Sequence, residues 1–162
     1  MVMASESSRE MLRHTVATLA YRGGKAVVNV PQEFSAFRYT ETSRTAGEIL
    51  AHIGDLLDWA LRLAKGTREY TVIAPRSWEE DQARFFAALE ELDSYLASDE
   101  TLGSPAEKIF QGPIADALTH VGQIALLRRM ADVPIRGENY FVAEILMGRV
   151  GKEQSAKRVE FD

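Results

Sequence analysis

The chain has 162 residues, of which 46% are hydrophobic and 27% are charged, and its formal net charge is −5. This length suits one domain with a single buried core, so we expect one domain over residues 1–162. The negative charge argues against a nucleic-acid-binding protein, because affinity for phosphates comes mainly from a concentrated basic surface.

Two further absences in the sequence limit the class of protein. No cysteine is present, which excludes disulfides, thiolate metal ligands and a cysteine nucleophile. No apolar run approaches the roughly 20 residues of a membrane span, and residues 1–10 lack the basic and apolar regions of a secretion signal. We therefore expect a cytoplasmic protein without membrane contact.

Capping sequences predict where four helices begin. In a capping box, a Ser or Thr side chain and a Glu three residues later bind each other's backbone N–H groups at a helix start. This pattern occurs at residues 7–10, 45–48, 77–80 and 104–107. Apolar residues at helical spacing follow it. The first helix should continue to Gly23-Gly24 or to about Val28, and the second should end at Lys65-Gly66.

The last long helix carries the polar residues of interest. Gly112-Pro113 predicts a break or kink, after which residues 113–131 predict an amphipathic helix. Its expected buried stripe consists of Ile114, Leu118, Val121 and Ala125.

Residues 141–147 predict a short fifth helix before a charged surface tail. Alternation of period two is nowhere sustained, and residues 70–73 are the best short candidate for a strand. The predicted fold is therefore all-α: an antiparallel four-helix bundle with a short extra C-terminal helix.

Three polar side chains on two of these helices form a candidate metal site. Asp116 and His120 lie one turn apart, so they project side by side from the last helix. His52 lies beside the apolar face of the second helix, which can face the last one in a bundle. Two imidazoles and a carboxylate hold a divalent first-row metal and leave positions for water or substrate. Gln123 would bind a ligand side chain or a bound water.

A structural interpretation of the same residues stays open. Asp116 and His120 would then only stabilise their own helix, by roughly 0.3 kcal/mol. His52 would be an ordinary buried histidine. Spacing alone favours this interpretation, because two such residues four positions apart are common by chance.

Two segments resemble the DinB/YfiT-like family of metalloenzymes. They are residues 45–59, TAGEILAHIGDLLDW, and residues 116–129, DALTHVGQIALLRR. The resemblance covers nearly the whole chain in the order and length of its helices. The family is a four-helix bundle, often dimeric. It binds a metal through one histidine of the second helix and an H-x-x-x-H pair in the last long helix, commonly followed by Gly-Gln.

Carried onto this chain, the resemblance assigns the metal ligands. The family's first histidine falls on His52 and its last on His120, and Gly122-Gln123 keeps the following Gly-Gln. Asp116 stands where the family usually has its other histidine. Aspartate also binds Zn, Ni, Mn or Fe, but it is shorter and charged, so the departure bears on metal affinity and metal preference.

The resemblance implies a metal-dependent enzyme that acts on a small-molecule substrate. A bound metal would lower the pKa of a water or a thiol. Some relatives are thiol-dependent transferases or isomerases, so a low-molecular-weight thiol is the expected cosubstrate, with a hydrolase as the rival. Trp59 would wall the pocket, and Glu48 or Asp55 could act as a base, although an exposed helix face is the commoner explanation for both carboxylates. A homodimer is expected from the resemblance.

The alternative function is not catalytic. The chain would then be a stress-related binding or interaction bundle, and Asp116 would mark a degenerate or absent metal site. Metal content distinguishes the two functions.

Overall fold

The computed structural model describes residues 2–161, and within them the fold is all-α, as predicted. Four long helices form it: α1 (Val2–Val27), α2 (Ala46–Ala64), α3 (Trp78–Ala97) and, after the short α4 (Ala106–Ile109), α5 (Ala115–Met130). The candidate strand at residues 70–73 is extended chain without a partner strand. None of the described helices carries an apolar stretch sufficient to span a lipid bilayer.

The four long helices surround one apolar core. Helices α1 and α2 each pack against α3 and α5, which places α1 diagonally opposite α2. The fully buried side chains at its centre come from all four helices, and the largest of them include Leu19, Leu50, Ile53, Phe85 and Ile124. Because α2 and α5 are neighbours, a residue on one can reach a residue on the other.

Two of the four predicted capping boxes form. At residues 45–48 and 77–80 the hydroxyl and the carboxylate each accept the other residue's backbone N–H. The box at residues 7–10 lies inside α1, which begins at Val2, since neither Gly nor Pro interrupts the preceding residues. At the fourth, Pro105 occupies the N-cap position without a side-chain hydrogen bond.

The chain does not break at Gly112-Pro113. A π-helical turn, Phe110–Ile114, joins α4 to α5 without interruption. Proline has no N–H and its ring crowds the carbonyl four residues earlier, and a wider turn relieves both problems. The buried stripe of α5 also differs from the predicted one. Leu118 and Ala125 are only partly buried, and the buried apolar positions are Ile114, Ala117, Val121, Ile124 and Leu127.

The predicted short helix at residues 141–147 is not formed, and this segment consists of turns and irregular chain. A helix there would need an apolar stripe packed against the bundle, yet Phe141 is 96% exposed and Val142 is 54% exposed. Residues 137–161 instead form a loop whose ends pair in an antiparallel bridge between Glu138 and Glu160.

This C-terminal loop is attached to α1 through a buried carboxylate. The Glu138 side chain is fully buried and lies 3.0 Å from Lys25 Nζ. It also accepts hydrogen bonds from the Tyr21 hydroxyl and the Val159 amide. Lys25 Nζ also contacts the Glu160 carboxylate at 2.6 Å. We call these five residues the Glu138 cluster.

A buried arginine joins α5 to the end of α1. The Arg128 guanidinium donates hydrogen bonds to the carbonyls of Ala26 and Val28, at 3.0 and 2.8 Å. The last carbonyls of a helix have no partner inside it and attract positive charge. Arg128 therefore closes the C-terminal end of α1.

Candidate metal centre

His52 of α2 meets Asp116 and His120 of α5 at the surface of the bundle. His120 Nε2 lies 3.4 Å from Asp116 Oδ1, and His52 Nε2 lies 3.9 Å from Asp116 Oδ2. The two imidazole rings are edge to face, with centroids 4.7 Å apart. One potential ligand atom from each residue lies within 4.8 Å of the others. These three residues form the metal cluster, and they could hold a metal ion.

The dimensions of the metal cluster suit a divalent ion. Nitrogen and oxygen ligands lie about 2.0–2.2 Å from Zn²⁺, which puts neighbouring ligands of a tetrahedral site about 3.4 Å apart. The separation between His120 Nε2 and Asp116 Oδ1 is already 3.4 Å, and that between His52 Nε2 and Asp116 Oδ2 is 3.9 Å. A small side-chain adjustment would bring His52 to the same distance.

Gln123 forms a hydrogen bond with one ring nitrogen of His120. Its Oε1 lies 2.8 Å from His120 Nδ1. An amide oxygen only accepts hydrogen bonds, so Nδ1 carries a hydrogen and Nε2 is the ring nitrogen that faces Asp116. Metal-binding histidines are commonly held in this way by an oxygen acceptor. The structure therefore places Gln123 where the sequence predicted a supporting side chain.

Tyr70 makes the corresponding contact with His52, and sequence reasoning missed it. Its hydroxyl lies 3.2 Å from His52 Nδ1. Tyr70 belongs to the extended connector between α2 and α3, which runs back along α2 after Gly66. Helical spacing does not describe such a path. An aromatic residue in a mostly polar connector is the only signal that the sequence offered.

The cluster combines two partly buried histidines with a half-exposed carboxylate. The side chains of His52, His120 and Asp116 are 20%, 12% and 50% exposed. Burial lowers the pKa of His52, and the nearby His120 and Arg44 lower it further, against the opposite effect of the acidic neighbours. The lowered pKa favours the neutral imidazole, which is the form that binds a metal.

Trp59 lies beside the metal cluster, next to Tyr70. The two rings pack edge to face with centroids 5.5 Å apart. A Cβ at Gly112 of the π-helical turn would lie 3.9 Å from the indole. Within the described part of the chain, the buried Trp59 Nε1 has no hydrogen-bond partner. The Trp59 indole therefore lies between Tyr70 and the π-helical turn, and its Nε1 is an unpaired hydrogen-bond donor among the described residues.

The two carboxylates suggested as bases have other roles. Asp55 is 2% exposed and accepts hydrogen bonds from Arg84 at 2.7 Å and from the Ile73 amide at 3.2 Å. Glu48 accepts the Thr45 amide in the capping box, which lowers its pKa. Asp55 therefore holds α3 and the connector against α2, and Glu48 caps α2. Neither is a free base.

Fold and site together define a helical bundle with a candidate metal centre that is open to solvent on the side of Asp116. Comparison of the chain with protein-family models, curated proteins and solved structures gives no match. The resemblance to DinB/YfiT-like proteins therefore stays a prediction, and the function is argued from the site.

Proposed function

We propose that this chain is a divalent-metal-dependent enzyme that acts on a small molecule, with a low-molecular-weight thiol as cosubstrate in a transfer or isomerisation reaction. The observation that carries the proposal is the convergence of the His52, Asp116 and His120 ligand atoms within 4.8 Å of one another. A hydrolase would use the same residues with water in place of the thiol. The expected homodimer stays a prediction.

The polarity of the convergent atoms supports a cation at this position. His120 Nδ1 binds Gln123, which leaves Nε2 as the ring nitrogen that would bind a metal. The Asp116 carboxylate beside it accepts a hydrogen bond from the Thr119 hydroxyl and has further lone pairs to offer. A divalent ion would be bound by both atoms together with His52.

A bound ion would supply Lewis acidity and lower the pKa of a thiol or water beside it. The protein's own groups would then position the reactants. Asp116, half exposed, lies on the side from which a substrate enters. Trp59 and Tyr70 offer an aromatic surface beside the candidate site.

One observation favours the non-catalytic alternative. The Asp116 side chain is 50% exposed, so water can stabilise its charge without a metal. In that case the bundle would be an interaction module, and the pair Asp116 and His120 would be structural.

Metal content tests the proposal. Tag-free protein purified without chelator is analysed by plasma mass spectrometry, beside His120→Ala and Asp116→Ala. We expect near-stoichiometric metal in the parent and a loss in both variants. His14→Ala and Asp99→Ala, which alter exposed residues, are the matched controls and should retain the metal.

A thermal melt with added Zn²⁺, Ni²⁺ or Mn²⁺ provides a second measurement. An ion that binds only the folded protein stabilises it by about 2.7 kcal/mol at 100 times its dissociation constant. Only a metal-loaded parent justifies a screen of thiol cosubstrates. A parent that stays empty and does not respond to any of the three ions leaves the non-catalytic bundle.

A further inference from the structure

Tyr70 reaches the metal cluster from outside the two helices that carry the ligands. Its hydroxyl lies 3.2 Å from His52 Nδ1, and its ring packs on Trp59. The connector is attached to α2 on both sides of it: Arg62 contacts the Glu69 carboxylate at 3.7 Å before it, and after it Arg62 donates to the Thr71 hydroxyl at 2.7 Å and the Ile73 amide donates to Asp55. The phenol is thus held at one nitrogen of His52.

The direction of this hydrogen bond decides which His52 nitrogen can bind a metal. Either atom can be the donor. If Tyr70 donates to Nδ1, the imidazole hydrogen must be on Nε2, and the nitrogen that faces Asp116 has no lone pair. If Tyr70 accepts, Nδ1 carries the hydrogen and Nε2 is free. Metal binding requires the second arrangement.

We propose that Tyr70 is the positioning residue for His52, as Gln123 is for His120. It accepts the Nδ1 hydrogen, keeps the ring oriented towards Asp116 and exposes the Nε2 lone pair. This role rests on the proposed metal site. It makes the connector between α2 and α3 a part of the site.

The role has a consequence for the phenol itself. When Tyr70 accepts from His52, its own O–H is free to donate elsewhere. Tyr70 is 41% exposed, so that hydrogen can reach water or a substrate atom. The residue therefore links ligand orientation to the substrate side of the cluster.

The test compares Tyr70→Phe with the parent by titration with Co²⁺ alone, followed by Zn²⁺ competition. Phenylalanine keeps the ring against Trp59 and removes only the hydroxyl. Loss of an oxygen partner behind a metal-binding histidine weakens metal affinity by about 10–100-fold, and we expect this loss. The visible bands of the Co²⁺-saturated protein should be retained, because the three ligands are unchanged.

Two further variants calibrate the result. Gln123→Ala should weaken Co²⁺ binding by a similar factor, since it removes the partner of His120. Tyr95→Phe removes a hydroxyl that donates to the Thr101 carbonyl at 2.9 Å, away from the cluster, and should leave the affinity unchanged. The unfolding midpoint of metal-free Tyr70→Phe should equal that of the parent, whereas a purely structural Tyr70 would lower it.

The outcomes separate the two proposals. If the parent and Tyr70→Phe bind Co²⁺ equally while Gln123→Ala binds it more weakly, the positioning role is wrong and the metal site stands. If the parent binds neither Co²⁺ nor Zn²⁺, the proposed function fails and the positioning role fails with it.

Discussion

The metal cluster and the Glu138 cluster both place a carboxylate beside nitrogen atoms and a tyrosine, but they satisfy it in opposite ways. Glu138 is fully buried and is surrounded by donors from Tyr21, Lys25 and a backbone amide. Asp116 is half exposed and faces imidazole nitrogens. In the Glu138 cluster the donors match the carboxylate acceptor, and the contact holds the C-terminal loop against α1. In the metal cluster, one ligand atom from each of three residues lies within 4.8 Å of the others, and the three could hold a metal ion.

The largest expected effect on the free energy of unfolding comes from a substitution in the Glu138 cluster. Glu138→Gln leaves the buried Lys25 without its buried counter-charge, and removal of one partner of a buried pair typically costs about 3 kcal/mol or more. Urea unfolding measures this free energy. Glu160→Gln removes the more exposed partner of Lys25 and should cost less than about 1 kcal/mol. Equal losses in both variants would contradict the assignment of Glu138 as the anchor.

The same cluster should make the free energy of unfolding depend on pH in the acid range. Burial raises the pKa of Glu138, but hydrogen bonds from Tyr21, Lys25 and Val159 outweigh burial and lower it overall. Because the carboxylate has a lower pKa in the folded protein than in the unfolded chain, its ionisation stabilises the fold at any pH above the unfolded-state pKa of about 4.3. This stabilisation is lost as the pH falls through the folded-state pKa. Between about pH 5 and pH 3 the parent should lose more stability than Glu138→Gln. Parallel pH profiles of the two proteins would exclude this contribution.

The smallest effect on the free energy of unfolding is expected for a substitution in the metal cluster of the metal-free protein. Asp116→Asn removes a half-exposed charge, and such helix-surface pairs contribute only about 0.3 kcal/mol. Chemical unfolding in the presence of a chelator should therefore barely distinguish this variant from the parent. A loss above about 1 kcal/mol would show that Asp116 contributes more to the fold than a helix-surface pair does.

The sequence predicted those parts of the fold that local rules determine. The boxes at residues 45–48 and 77–80 formed because hydroxyl and carboxylate act within one turn. The start of α1 and the continuity at Pro113 were missed, because a helix can extend beyond a capping sequence and a wide turn can accommodate a proline. The helix expected at residues 141–147 is absent, and of its apolar residues Ile145 packs against the core whereas Phe141 and Val142 are exposed.

The same distinction holds for the candidate site. Helical spacing predicted that Asp116, His120 and Gln123 lie on one side of α5, whereas His52 was assigned to the same site by the resemblance, and the structure brings the three ligand atoms together. Tyr70 could not, because an extended connector has no periodicity that predicts its path. The ion pair between Asp55 and Arg84 depends on how α2 packs against α3, and this packing cannot be predicted from the sequence of α2 alone.

The π-helical turn before α5 has a consequence for how the chain can change. Each residue added to or removed from a helix rotates everything beyond it by about 100°. The five residues Phe110–Ile114 therefore determine how α4 is rotated relative to α5, which carries Asp116 and His120. After a deletion of one residue in this turn, the buried face of α4 and the buried face of α5 could no longer both point into the core. The wide turn thus lets one continuous helical stretch bury both faces while Asp116 and His120 stay opposite His52.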